Sequence, residues 1–270
     1  MRIASTKTHK ITIADKNIFS ILKQYIKKLN ENSILAITSK IVAICEGRLV
    51  NIKKDFDKKD LIQKEADYYL PAEINKYGYM ITIKNNLLIP TAGIDESNGN
   101  GKYVLWPANP QKSANEIRNF LRKSYNLQNI GVIITDSKTT LLRWGGSGVC
   151  IAHVGFQALN SYIHTPDLFG RYFKMTKANI MDALAAAAVL VMGEGNGQTP
   201  LAIIEDIPFV KFKKNNPSKK EIASLKISID DDIYASLLKG VEWRRGNKFG
   251  RKIVENFYYP AKVQTHIGLH

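Results

Sequence analysis

Residues 131–137 read GVIITDS, an apolar and β-branched run that ends in a carboxylate and a hydroxyl. This pattern predicts a buried strand whose last residues are polar. Outward from it, further strand-like runs cover residues 33–44, 79–83, 130–135, 149–154 and 201–204, and helical patterns cover residues 18–30, 113–124 and 176–192. Strands and helices interspersed in this way predict an α+β fold.

The chain has 270 residues, of which 44% are hydrophobic and 23% charged, so it can bury the core of one large domain or two modest ones. Residues 211–220, KFKKNNPSKK, are polar, basic and interrupted by a proline, which is typical of a linker. We therefore expect a main domain over residues 1–210, either as one unit or as two interleaved lobes. Residues 211–270 would form a C-terminal extension or part of the second lobe.

The cellular location of the protein and the state of its cysteines are predicted from features that the sequence lacks. The longest apolar run, residues 183–192, is about half the roughly 20 residues that cross a bilayer, and the N-terminus has no apolar signal-peptide core. We expect a cytoplasmic protein with no membrane partner. Cys45 and Cys150 form neither a CxxC nor a Cys/His pattern, which argues against a disulfide framework and a structural zinc site.

The formal net charge of +15 has two interpretations, which the sequence leaves open. Codon bias in an AT-rich genome produces a lysine-rich chain, and an electropositive surface attracts polyanions such as nucleotides or polycarboxylates. The P-loop, GxGxxG, GxSxG and HExxH patterns are absent from the sequence. No nucleic-acid-binding signature occurs, so we expect no nucleic-acid partner.

Three segments are rich in groups that bind cations or phosphates. TAGIDESN (residues 91–98) carries several oxygen ligands, the strand GVIITDS ends in Asp136 and Ser137, and GEGNGQTP (residues 193–200) follows a helix. Carboxylates at strand ends hold Mg²⁺ or Mn²⁺, and glycine-rich backbone approaches phosphates closely. Each segment also has a purely structural interpretation, as an Asx-turn, a cap or a helix C-terminus.

Together with IVAICEGR (residues 41–48) and PDLFGR (residues 166–171), these segments resemble the coenzyme F(420) γ-glutamyl ligase family. The resemblance runs over about residues 34–205. It implies a two-lobed α+β fold, an intertwined homodimer, and the nucleotide- and metal-dependent addition of glutamate to a substrate. Isoleucine 44 stands where the family has a lysine. If only a phosphate contact were lost there, Ile44→Lys should tighten nucleotide binding; a repacked site would not respond in this way.

The resemblance also implies roles for individual residues. It assigns Asp95, Asp136 and Ser137 to Mg²⁺ or Mn²⁺, and both aspartates to catalysis. Arg143 and Arg171 are candidates for neutralising phosphate or carboxylate charge, although Arg171 is equally well explained as an ion-pair partner of Asp167. The residues matched to GTP or ATP binding are Ser39, Lys40, Asn98, Gly193, Glu194, Gly195, Asn196, Gly197, Gln198, Thr199 and Pro200.

The residue types fit a ligase that activates a carboxylate as an acyl phosphate, since phosphoryl transfer needs metal, positioning and positive charge more than a protein nucleophile. The α-amine of glutamate then attacks. The composition indicates an AT-rich genome, and ITDS, PDLFGR and the GEGNGQTPLA loop resemble a branch with a proposed folate role. We therefore expect tetrahydrofolate mono- or polyglutamate as acceptor. The alternatives are a coenzyme F(420) precursor as acceptor, and a non-catalytic nucleotide-binding protein.

Overall fold

The structure is a computed structural model that describes residues 1–53 and 57–247. Its elements are β1 (Arg2–Thr6), α1 (Ile18–Tyr25), β2 (Ser33–Thr38), α2 (Ser39–Cys45), β3 (Leu49–Asn51), α3 (Lys58–Glu65), β4 (Tyr68–Leu70), β5 (Ile81–Lys84), β6 (Leu87–Pro90), β7 (Lys102–Val104), α4 (Pro110–Tyr125), β8 (Ile130–Thr139), β9 (Gly146–Val154), β10 (Leu159–Ser161), β11 (Lys177–Asn179), α5 (Ile180–Met192), β12 (Leu201–Glu205), α6 (Lys219–Ala223), α7 (Ala235–Lys239) and β13 (Arg244–Arg245). Short 3₁₀ turns cover Ala72–Ile74 and Thr91–Gly93.

The first lobe is built on a five-stranded sheet in the order β1-β12-β2-β8-β9. Strands β2 and β8 are parallel, with Thr38 at the end of β2 beside Thr135 of β8, and the other neighbouring pairs are antiparallel. Apolar side chains on one face of the sheet pack against α1 and α4, and those on the other face pack against α5. Both faces of β2 and β8 are therefore buried, which is why their sequences are continuously apolar.

The second lobe is inserted between α2 and α4. The antiparallel sheet β13-β4-β5-β6 and helix α3 enclose a separate core, which includes Leu61, Met80, Ile94 and Tyr103. Strands β3 and β7 pair with each other and connect this lobe to the first. Strand β13 pairs with β4, so residues 244–245 contribute to the second lobe. The proposed boundary at residue 210 stays a prediction, and residues 248–270 lie outside the described part of the chain.

The α+β prediction is confirmed, and the predicted elements are recovered with corrected bounds. The strand expected over residues 33–44 ends at Thr38, and helix α2 follows it. The helix expected over residues 176–192 begins at Ile180, where Asn179 caps it by accepting a hydrogen bond from the backbone N–H of Asp182. No helix among residues 1–53 and 57–247 is long and apolar enough to cross a membrane. Both cysteines are free thiols.

Candidate functional site

A cavity of about 830 Å³ opens where the carboxyl ends of β2 and β8 meet the second lobe. Because these two strands are parallel neighbours, the residues that follow them emerge at the same edge of the sheet. The cavity is lined by nearly all of the residues proposed from the sequence, namely Ser39, Lys40, Asp95, Asn98, Asp136, Ser137 and the whole of residues 193–200.

Asp136 is the deeper of the two aspartates. The indole N–H of Trp106 donates a hydrogen bond to its Oδ2, and the backbone N–H of Ser137 donates to its Oδ1 at 2.9 Å. Burial raises the pKa of Asp136 to about 6, and the negative charge of Asp95 adds to the shift, although both hydrogen bonds oppose it. A cation nearby would therefore stabilise the ionised form of Asp136.

Asp95 lies across the cavity on the second lobe, and a lysine holds it. The Lys40 ammonium is 2.5 Å from Asp95 Oδ2, and it also donates to the carbonyl of Ser97 at 3.0 Å. Burial would raise the pKa of Asp95, but Lys40 and the hydrogen bonds from Ser97 lower it below its usual value. Since the Ser97 N–H donates to Asp95, the Asx-turn interpretation is also correct, and it leaves Oδ2 facing Lys40.

A third carboxylate, Glu194, faces the end of β8. Ser137 Oγ donates to Glu194 Oε1 at 2.6 Å, so the glycine loop touches the predicted metal-binding strand end. From the second lobe, Asn98 Nδ2 donates to the Gly195 carbonyl at 3.4 Å. Sequence reasoning placed Glu194 only among the nucleotide-binding residues. Its position directly after the helix, in the sequence MGEG, was the available signal.

The donor set fits a hard divalent cation, because carboxylate and hydroxyl oxygens are the ligands that Mg²⁺ and Mn²⁺ prefer. Asp95, Asp136, Ser137 and Glu194 all line the cavity. Within the described residues, however, no three His, Cys, Asp or Glu side chains stand close enough to form a ready-made metal cage. Lys40 and Trp106 instead hold the two aspartates.

The glycine-rich loop is fixed at both ends. Gly193 ends α5 with a φ of +74°, and Thr199 Oγ1 donates to the Met192 carbonyl at 2.5 Å. The N–H of Thr8 donates to the Gln198 carbonyl at 2.8 Å, which brings the N-terminal segment to the cavity. Residues 8–13 line it, although nothing in the sequence analysis singled them out. Their proximity is a tertiary effect of the pairing of β1 with β12.

The two arginines proposed for catalysis do not line this cavity. Arg143 lies in the exposed turn between β8 and β9, and Arg171 lies in an exposed loop. The Asp167 carboxylate accepts hydrogen bonds from the backbone N–H groups of Phe169 and Arg171. Among the described residues, the Arg171 side chain makes no ion pair with Asp167 within 4.0 Å. The proposed ion pair is therefore not formed, and the catalytic role of both arginines stays a prediction.

Comparison with known proteins gives one consistent result. Residues 7–206 match the family model described as F420-0:Gamma-glutamyl ligase. Similar curated proteins are named Coenzyme F420:L-glutamate ligase. That of Methanococcus maripaludis strain C7 is 33% identical over 227 residues, covering 83% of this chain and 87% of the relative. That of Methanopyrus kandleri is 32% identical over 200 residues, covering 67% and 77%, and that of Methanocaldococcus jannaschii is 32% identical over 209 residues, covering 72% and 83%.

Proposed function

Because the chain belongs to the F420-0:gamma-glutamyl ligase family and is a γ-glutamyl ligase that forms carbon–nitrogen bonds, we propose that it adds L-glutamate to a coenzyme F(420) precursor. The observation that carries the proposal is the meeting of Asp95, Asp136 and the glycine-rich loop in one cavity. The folate acceptor expected from composition finds no support among the relatives, whose names give coenzyme F420 instead. The alternative acceptor is therefore the better supported.

We propose that the cavity binds GTP or ATP with its phosphates beside residues 193–200, whose glycines let backbone N–H groups approach an anion. A terminal carboxylate oxygen of the acceptor attacks the γ-phosphorus, and the nucleoside diphosphate leaves. The α-amine of glutamate then attacks the acyl carbon, phosphate leaves, and the amine loses a proton. Lys10, Lys102 and Lys138 line the cavity and offset the negative charge of these substrates.

A divalent cation, Mg²⁺ or Mn²⁺, would be held by Asp95, Asp136, Ser137 and Glu194. When bound, it supplies charge neutralisation between phosphate oxygens. Lys40 lies where it can contact either Asp95 or a phosphate. The pairing of the Lys40 ammonium with Asp95 keeps that carboxylate ionised and oriented towards the cavity.

The test is an activity assay with separate acceptor arms. Purified protein is incubated with glutamate, GTP or ATP, and Mn²⁺ or Mg²⁺, together with either the F(420) precursor that lacks glutamate or tetrahydrofolate monoglutamate. Mass spectrometry then measures the gain of one glutamyl unit. Extension of the deazaflavin precursor supports the proposal. Extension of tetrahydrofolate alone would instead support the folate hypothesis. Nucleotide binding without product in any arm would favour a non-catalytic protein.

A homodimer is the second part of the proposal. Leu142 and Trp144 in the turn after β8, and Leu168 and Phe169 in the loop before β11, are almost fully exposed in the single chain. Large apolar side chains on exposed loops are typical of protein–protein interfaces. Arg143 and Arg171 lie within two residues of them in sequence and do not line the cavity of the single chain, so we propose that these arginines reach the cavity of a second copy.

A further inference from the structure

Three charged side chains cluster in the second lobe, where Lys84 is buried and Glu65 and Arg48 are partly buried. The Lys84 side chain is only 3% exposed, and its Nζ is 3.0 Å from Glu65 Oε2. Arg48 Nη2 donates to both oxygens of the same carboxylate, at 2.8 and 2.9 Å. Burial would raise the pKa of Glu65, but Lys84 and Arg48 hold it below its usual value. Because burying charges costs desolvation energy, such a cluster is weak evidence for a stabilising role alone.

One connection leads from this cluster to Asp136. Lys84 Nζ lies 5.0 Å from the centre of the Trp106 ring, a cation–π distance, and Arg48 Nε donates to the Trp106 carbonyl at 3.1 Å. The Trp106 side chain is 1% exposed, and its indole N–H is the donor to Asp136 Oδ2. The orientation of the Asp136 carboxylate therefore depends on a residue that the cluster contacts both at its ring, through Lys84, and at its backbone, through Arg48.

A second connection leads to Asp95. Lys84 Nζ donates to the Ala92 carbonyl at 3.1 Å, and Thr82 Oγ1 accepts from the Ala92 N–H at 2.9 Å. Thr91 and Ala92 have φ values of 53° and 54°, which non-glycine residues adopt only when their surroundings impose it. This turn leads directly to Asp95. The same ammonium thus holds the backbone before one aspartate and the ring that contacts the other.

We propose that Lys84, supported by Glu65 and Arg48, is a positioning residue that sets the spacing between Asp95 and Asp136. Lys84 is not one of the cavity-lining residues and touches no substrate there. The expected effect of Lys84 on metal binding and glutamate transfer rests on the proposed function. The contact of Lys84 with Trp106 does not rest on it, so the contact and the effect can be tested separately.

The test of the contact is the indole ¹⁵N–¹H spectrum, which has three signals because the chain has three tryptophans. The variant Trp106→Phe identifies the signal of Trp106. In Lys84→Met, a substitution of similar length without charge, we expect that signal to shift and its proton to exchange with solvent at least about tenfold faster. An unchanged signal would overturn the proposal.

The test of the consequence is Mn²⁺ affinity, measured by electron paramagnetic resonance on the folded protein. We expect Lys84→Met to weaken Mn²⁺ binding by about tenfold or more, as removal of groups that orient metal ligands generally does. We expect the same of Trp106→Phe, which keeps an aromatic ring at this position but removes the indole N–H donor. In the ligase assay kcat should fall more than the KM for glutamate changes.

A matched control separates positioning from a general loss of stability. Leu61→Ala truncates a buried side chain in the same lobe core, but Leu61 makes none of the hydrogen bonds or ring contacts that hold Trp106 and the Ala92 backbone. It should lower the melting temperature and leave the Trp106 signal and the Mn²⁺ affinity close to those of the unmodified chain. Equal losses in Leu61→Ala would overturn the proposal. If Lys84→Met fails to fold, Lys84→Arg decides it through the Trp106 signal and the Mn²⁺ affinity, and Trp106→Phe, which has no indole signal at this position, decides it through the Mn²⁺ affinity. If the unmodified chain neither binds Mn²⁺ nor forms product, the proposed function fails while the indole spectrum still decides the contact.

Discussion

At the scale of single residues, the two aspartates differ in environment although both face one cavity. Asp136 is buried against Trp106, and its charge is disfavoured by desolvation. The Asp95 side chain is 41% exposed and is paired with Lys40. Replacing either carboxylate by an amide of the same shape should therefore change function far more than folding.

We predict that Asp95→Asn and Asp136→Asn each lower ligase turnover at least about tenfold, since on the proposed function each removes a carboxylate that would hold the divalent cation. The melting temperature of Asp136→Asn should stay the same or rise, because the variant no longer buries an ionised group. Steady-state kinetics and thermal melts measure both effects. Asp60→Asn on the exposed face of α3 is the control. Turnover above about a tenth of the unmodified value would contradict a direct role.

His153 predicts a pH dependence of stability. Burial lowers its pKa to about 4, with Lys213 adding to the shift and Glu221 and Asp182 opposing it. The unfolded chain protonates this residue near pH 6.5, so stability is lost as the pH falls from about 6.5 to about 4. Between pH 7 and pH 4.5, the free energy of unfolding of His153→Gln should fall by about 2–3 kcal/mol less than that of the unmodified chain. Urea unfolding at both pH values measures this, and parallel losses would contradict it.

At the scale of elements, helix α2 explains why Ile44 is not a lysine. Ile44 is buried with Ala43 and Val104, and Leu49 packs against this cluster. The helix therefore presents an apolar side chain to an apolar contact, although Ile44 also borders the cavity. This packing agrees with a repacked site, in which apolar contacts of Ile44 stand where the family has a lysine.

We expect Ile44→Lys to lower the free energy of unfolding by on the order of 3 kcal/mol, because it buries a charge with no partner. Nucleotide affinity should not increase, even at low salt where a new phosphate contact would be strongest. Isothermal titration and urea unfolding measure the two quantities, with Ile44→Leu as the control. A tighter complex at low salt would show that the side chain reaches the phosphates instead.

The turn at residues 91–93 has a strict glycine requirement at its last position. Gly93 has a φ of +67°, and a Cβ there would lie 2.2 Å from Trp106 Nε1. Gly78 has the same φ and open space around it, which makes it a matched control. We predict that Gly78→Ala lowers the free energy of unfolding by about 1 kcal/mol, and that Gly93→Ala lowers it by at least about 2 kcal/mol more. Urea unfolding measures both values. Equal costs would mean that Trp106 moves aside without penalty.

At the scale of the whole molecule, the cavity is lined by segments of both lobes that are far apart in sequence, and the exposed apolar loops suggest a further partner. We predict that the double variant Trp144→Ser, Phe169→Ser is monomeric in sedimentation velocity experiments, whereas the unmodified chain is a dimer. Tyr79→Ser, which removes an exposed ring elsewhere, should leave the dimer intact. A monomeric unmodified chain would contradict this and leave Arg143 and Arg171 without a route to the cavity.

The sequence by itself determined the α+β class, the segments that line the cavity and the family. Continuous apolar runs such as GVIITDS identify strands because burial on both faces leaves no polar position. The motifs were recognisable because each concentrates its chemistry within a few consecutive residues. The boundary between β2 and α2 was not predictable, since an apolar run suits a buried strand and a buried helix equally, and the change occurs at the cap residue Thr38.

Only the tertiary structure decided which groups act together. Nothing local marks Lys84 as buried: its burial depends on Glu65, Trp106 and the Ala92 carbonyl, which come from other elements. The contact of Glu194 with Ser137 likewise joins residues 57 positions apart. Arg171 belongs to the motif PDLFGR, and yet neither it nor Arg143 lines the cavity. Sequence patterns report the environment of one element, whereas a site is assembled from hydrogen bonds and ion pairs between elements, which are fixed only when the lobes fold together.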